Sequence, residues 1–191
     1  MDMLTAAQKA HPDWVWEASD IASWVSKEPL DLIFSNAALH WVPHHETLLP
    51  RLLNQLADGG VLAVQMPRNF EAPAHHLIRQ TAADGPWQSL LAEVDEWHPP
   101  LEPAEYHAIL APHCRSADIW ETEYVQVMDS AAAIAEWTKG SALRPFLDRL
   151  PEAAQHEFLA RYIEALQTAY PTQSDGRVLF PFKRIFLVAQ R

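Results

Sequence analysis

Apolar residues recur along the chain with two different periods. Leu30 to Ser35 (LDLIFS) and Val61 to Met66 (VLAVQM) are short, nearly continuous apolar runs. Both read as strands buried on two faces, the parallel-sheet type. Trp14 to Ala18 reads as a further short strand. Asp118 to Met128 alternates and predicts a long strand. Val178 to Ala189 predicts a last one, broken by Pro181. Helical spacing predicts Asp2 to Ala10, ended by Pro12. His44 to Leu56 puts leucines 48, 49, 52, 53 and 56 on one face. Further helices are expected at Ala74–Ala83, Gln88–Glu96, Ala104–Leu110 and Ser130–Lys139, the last with Ser130 as N-cap. Arg144–Leu150 and Glu152–Ala169 are divided by Pro151, which suits a first helical position. Asp58-Gly59-Gly60 and Asp175-Gly176 mark turns. Strands and helices alternate with mostly helical crossovers, so the fold class is α/β. The length of 191 residues fits one domain, 1–191.

Composition narrows the function. Hydrophobic residues make up 49% of the chain, enough for a real core. The net charge of −11 offers no basic face for nucleic acid. Cys114 is the sole cysteine, which excludes an internal disulfide and a four-cysteine zinc site, and suits the cytoplasm. No apolar run is long enough to span a membrane, and the first residues lack the pattern of a signal peptide. His40, His44, His45, His75 and His76 do not follow HExxH spacing, and Pro43 interrupts a common helical face, so no metal is expected.

The order of three stretches carries a resemblance. These are Asp20-Ile21 after a strand, Asp31 to Trp41 (DLIFSNAALHW), and Gly59 to Pro67 (GGVLAVQMP). This order resembles class I S-adenosylmethionine-dependent methyltransferases. Ala117 to Thr122 (ADIWET), Glu136 to Leu147 (EWTKGSALRPFL) and Ala169-Tyr170-Pro171 through Asp175-Gly176 resemble one family of that class, the trans-aconitate 2-methyltransferases. The resemblance implies a Rossmann-like sheet with a helical substrate cap, inserted around 84–115 and 130–170. It implies S-adenosylmethionine as cofactor, held by Asp20, Ile21, Asn36, Ala37 and Leu39 at strand carboxyl ends. Where His40 stands the family pattern would have Gln. The class also implies a first strand, a Gly-x-Gly-x-Gly loop, a helix and a second strand. The five glycines of this chain make no such fingerprint. The sheet is therefore expected to lack its first two strands, leaving Leu30–Ser35 with an open edge and Trp14–Ala18 without a neighbour.

The substrate implied is a small tricarboxylate, whose recognition calls for guanidinium, ammonium, phenol or imidazole donors. Arg144, Lys139, Tyr106 and His98 are the candidates, with Tyr170 and Arg184 behind them, and Trp41, Trp97 and Trp137 as walls of a dry pocket. Trp14, Trp16, Trp24, Trp87 and Trp120 read as packing. A carboxylate is already ionised at pH 7, so no catalytic base is expected, only alignment. Two alternatives stay open: transfer to another small carboxylate, and a fragment without catalysis.

Overall fold

The computed structural model describes residues 3–94 and 99–191. Helix α1 (Met3–Ala10) opens the chain and buries none of its residues. The elements that follow are β1 (Leu30–Asn36), α2 (His45–Leu53), β2 (Leu56–Pro67), α3 (Pro73–Asp84), α4 (Gln88–Leu91) and α5 (Pro103–Leu110). Then come β3 (Ser116–Met128), α6 (Ala131–Lys139), α7 (Arg144–Leu147), α8 (Glu152–Ala169) and β4 (Val178–Gln190). The strands form one sheet in the order β1-β2-β4-β3. β1 and β2 run parallel, joined through α2. β4 pairs antiparallel with both β2 and β3.

Two cores meet at β4, whose alternating side chains serve one face and then the other. Ile185, Leu187 and Ala189 join Leu62, Val64 and Met66 of β2 against the leucines of α2 and Tyr106 and Leu110 of α5. Val178 and Phe180, of opposite parity, join the second core with Ile78 of α3, Ile134 of α6, and Phe158, Tyr162 and Leu166 of α8. Helix α6 starts as its sequence suggests, with the Ser130 hydroxyl accepting from Ala133 N–H.

Five expectations need correcting. Trp14–Ala18 forms no strand, and Trp14 is 63% exposed rather than packed. Aromatic and β-branched residues favour a strand only where a neighbour completes it. β1 is not buried on both faces: Leu32 and Phe34 stand exposed, because among the described residues nothing packs over the face they share, and the outer edge of β1 is unpaired as well. Asp58-Gly59-Gly60 is not a free turn but a bulged stretch inside β2, where the register on β1 jumps from Leu30↔Leu56 to Leu32↔Val61. Gly59 there has φ +82°, and a Cβ on Gly60 would stand 2.7 Å from Leu30 O, so only glycine fits. Pro181 does not break β4, where it pairs with Val125. Its nitrogen shares the edge of Lys183 N–H, two residues on, which already reaches past the end of β2 to Asn69, so no ladder bond is lost. Of the helix expected over Gln88–Glu96, α4 supplies the first turn, and 95–96 lie outside the described residues.

Candidate functional site

The carboxyl ends of the parallel pair β1 and β2 open onto a cavity of about 210 Å³. The loop after β1 contributes His40 and Trp41, and the exit of β2 contributes Pro67, Asn69 and Phe70. His75 of α3, Trp137 and Thr138 of α6, Ser141, and Phe180 and Phe182 of β4 close the other sides. Crevices at the carboxyl ends of parallel strands are where open α/β sheets hold ligands.

Local structure sets these walls. Ala37 takes φ +52°, and its N–H donates to Gln65 O at 2.9 Å, which turns the chain off β1. A single 3-10 turn over Leu39–Trp41 follows, anchored by the buried Leu39 side chain. His45 holds that turn: its Nε2 lies 2.9 Å from Leu39 O, and its Nδ1 lies 2.7 Å from the Tyr106 hydroxyl. On the β2 side, Arg68 N–H donates to Lys183 O, and Lys183 N–H donates to Asn69 Oδ1 at 3.1 Å. Helix α3 is tied to α8 and its C-terminal residue: Tyr170 Oη accepts from Ala74 N–H at 3.0 Å, and Tyr162 donates to Ala74 O at 3.1 Å.

The cavity is weakly charged. Burial lowers His40 to about 4, helped by the charges of His45 and Arg184. Burial likewise lowers His75 to about 4, with Arg79 and His76 adding to it. Both imidazoles are neutral at pH 7. Most nearby cations are already engaged. Lys139 pairs with Glu136, and Arg68 with Glu102 and Glu121. Arg184 differs: it donates to Gln65 Oε1 at 3.0 Å and sits 5.0 Å over the ring of Phe182. Among the described residues it has no carboxylate partner.

The residues expected from sequence separate into groups. Trp41 and Trp137 do line the cavity, each about half exposed. Asn36 and Ala37 lie exposed at the end of β1, whereas Leu39 is buried beneath them. Asp20 is exposed, and its carboxylate accepts from Ala22 N–H at 2.9 Å, which caps its own turn. Ile21 follows, with its carbonyl held by Arg51 of α2. Tyr106 is fully buried in the lower core, and Tyr170 supports α3 from beneath, so both phenols are engaged in packing. Arg144 is on the surface in a 3.6 Å pair with Asp148. The i, i+4 spacing of that pair was readable in the sequence. His98 and Trp97 lie outside the described residues. Sequence reasoning missed Asn69, Gln65 and His75. The strand-end rule gives the signal for Asn69, which stands two residues past β2. Among the described residues no group of three or more His, Cys, Asp or Glu is placed to hold a metal, and no helix is long and apolar enough to cross a membrane.

No family model matches the chain. Individual relatives do. It is 48% identical to the trans-aconitate 2-methyltransferase of Azoarcus sp. (strain BH72) over 190 residues, covering 100% of this chain and 74% of that protein. It is 48% identical to the enzyme of the same name from Methylobacterium nodulans over 190 residues, 99% of this chain and 74% of that protein. The chain belongs to the trans-aconitate 2-methyltransferase family. Among solved structures, the YcgJ protein from Bacillus subtilis superposes with a TM-score of 0.56 at 13% identity, over 98% of this chain and 75% of that one. The fold is the Rossmann-like α/β sheet of class I methyltransferases. Within this family the strings that carried the resemblance take on places: Asn36–Leu39 form the exit of β1, and Glu136–Leu147 run along the cavity's cap side.

Proposed function

We propose that this chain serves S-adenosylmethionine-dependent methylation of a carboxylate of trans-aconitate, giving the methyl ester. The cavity at the ends of β1 and β2 carries this reading, supported by the 48% identity to enzymes of that name. The residues present fit one side of the cofactor. The Asp20 carboxylate is exposed and has lone pairs left after capping its own turn, which suits an adenine amino group. Asn36 and Ala37 lie exposed at the end of β1, and Leu39 fixes the turn below them. Ile21, its carbonyl held by Arg51 of α2, would pack on the adenine face. No glycine-rich loop in this chain supplies the other side. When bound, S-adenosylmethionine supplies an electrophilic methyl, which the carboxylate oxygen takes as the carbon–sulfonium bond breaks and its electron pair returns to sulfur.

The chain's own residues then bind, orient and exclude water. Trp41, Phe70, Trp137, Phe180 and Phe182 strip water from the acceptor, and water would otherwise solvate its charge. The helical layer of α3 and α6–α8 acts as the cap over 130–170. Helix α5, by contrast, packs on the sheet beside α2, so the region around 84–115 contributes less to that cap. Arg184 takes the part of anion anchor first expected of Arg144, because it alone among the candidates is near the cavity without a carboxylate partner. Lys139 and Arg144 lie nearby, but their pairs with Glu136 and Asp148 on the surface leave them little part in that anchor. The lone Cys114 fits work in the cytoplasm.

The test is incubation of the chain with trans-aconitate and S-adenosylmethionine, with mass spectrometry for the methyl ester. Ester that forms only with both reagents supports the proposal. Neither ester nor binding of trans-aconitate in a calorimetric titration would sink it. A second reading, favoured by the absence of a Gly-x-Gly-x-Gly string, has this polypeptide bind the acceptor without turnover.

A further inference from the structure

The cavity is built of aromatic walls and neutral imidazoles, yet it holds one fixed hydrogen-bond donor. Asn69 is 6% exposed and lines the cavity. A backbone N–H can only donate, so the Lys183 N–H bond fixes the oxygen end of the Asn69 amide. The amide cannot flip without losing that bond. Its Nδ2 is left buried with no partner among the described residues. A buried donor left unmade is costly, and a ligand acceptor removes the cost.

Gln65 repeats the arrangement one strand pair away. Its Oε1 accepts from Arg184, and its Nε2 is likewise buried and unpartnered. Arg184 itself stands at the cavity's margin, over Phe182. The site therefore grades from the neutral donor of Asn69 inside to a cation at the edge.

We infer that Asn69 is the specificity-determining donor that holds the methyl-accepting carboxylate inside the cavity, while Arg184 holds a second carboxylate of the same molecule at the rim. The inference rests on the proposed carboxyl methylation and names the part of the site that receives the anion. The chemistry favours this division. A carboxylate that must attack as a nucleophile is held better by a neutral amide than by a guanidinium, which would draw off the charge it needs to share. A carboxylate that only anchors gains from the full charge-assisted bond. A monocarboxylate satisfies one end alone, so the arrangement selects acids with two or more carboxylates. His40 and His75 stay neutral at pH 7 and do not substitute for the charge of Arg184.

The experiment is calorimetric titration of the full chain with trans-aconitate, for the wild type, Asn69→Asp and Asn69→Ala. Asn69→Asp keeps the oxygen that accepts from Lys183 but removes the donor and adds a like charge, so affinity at pH 7.5 should fall by about 100-fold. Asn69→Ala should lose about 10-fold. Relative to wild type at the same pH, Asn69→Asp should regain part of its loss as pH falls toward the carboxylate range, where a protonated carboxyl donates again, and Asn69→Ala should not. Thermal melts check that each variant stays folded at the temperature of the titration. Equal affinity of wild type and Asn69→Asp, with both folded, overturns the role of Asn69 and leaves the proposed reaction standing. Failure of the wild type to bind trans-aconitate overturns the reaction and the inference together.

Discussion

The cap-side core and the strand β1 are both rich in apolar residues, yet only the first buries them. Phe158, Tyr162 and Phe180 are fully buried, while Leu32 and Phe34 are 56% and 69% exposed. The difference lies in partners and not in local sequence. Helix α8 meets α3 across 88 residues of chain, through the Tyr162 bond to Ala74. β1 has β2 on one side, and among the described residues nothing lies on its other edge or over Leu32 and Phe34. An apolar run shows where a strand forms. Burial on both faces depends on elements that the run itself does not encode.

The largest effect should come from the cap. Phe158→Ala empties a site walled by Trp87 and Phe146 and should cost about 3–5 kcal/mol in denaturant unfolding. A cost under about 1 kcal/mol would mean that this core is loose and that the contrast with β1 is false. Next comes the lower core. Tyr106→Phe strips the hydroxyl that meets His45 Nδ1 and accepts from Leu101 N–H, and should cost about 1–3 kcal/mol. An unchanged midpoint would show that water satisfies both groups.

Acid sharpens the comparison further, because the titrating histidines lie on the cavity side. His75 has a folded value of about 4, below its ordinary 6.5. Above pH 6.5 both the folded and the unfolded chain leave it neutral, and its contribution to stability is complete. As pH falls from 6.5 toward 4, the unfolded chain takes up a proton that the folded chain refuses, and stability is lost. His40 acts in the same direction. Melting temperatures of wild type and His75→Gln, compared at pH 7 and pH 5, should differ more in their acid-induced drop than at neutral pH. Parallel curves would place His75 in contact with solvent.

Much of this was legible in the sequence. The span of α8, Glu152–Ala169, and the Ser130 cap of α6 follow from Pro151, apolar spacing and capping chemistry. The loop after β1 follows from the strand-end rule. The partners of single side chains were not legible. Nothing near Asn69 says that its oxygen is claimed by Lys183, 114 residues away. Tyr106 reads as a substrate-binding phenol on the helix Ala104–Leu110 and is instead tied to His45, 61 residues earlier. Trp14–Ala18 has the composition of a strand, but composition supplies no neighbour.

The smallest expected change in stability is at Phe34, and it bears most directly on the contrast. Phe34 pairs with Ala63 on β2, and Leu32 with Val61, so Leu32 and Phe34 stand on one face of an edge strand. The same face runs on through Val188 and Phe186 of β4 to Trp120 of β3, which stacks on Phe186 at 4.9 Å. An open strand edge beside an apolar face is a template for pairing with another chain. In the isolated chain Phe34 loses little on unfolding, since it is already in water. Phe34→Ser should therefore shift unfolding by no more than about 0.5 kcal/mol, the usual bound for exposed positions. Its visible effect should be on association: less light scattering on concentration, and a weaker dependence of the melt on protein concentration. Leu32→Lys should act the same way, since a lysine on an edge strand opposes pairing. If Phe34→Ser instead costs about 2 kcal/mol, as a buried side chain would, Phe34 is covered in solution. The contrast between the two regions would then belong to the single chain alone and not to the protein as it associates.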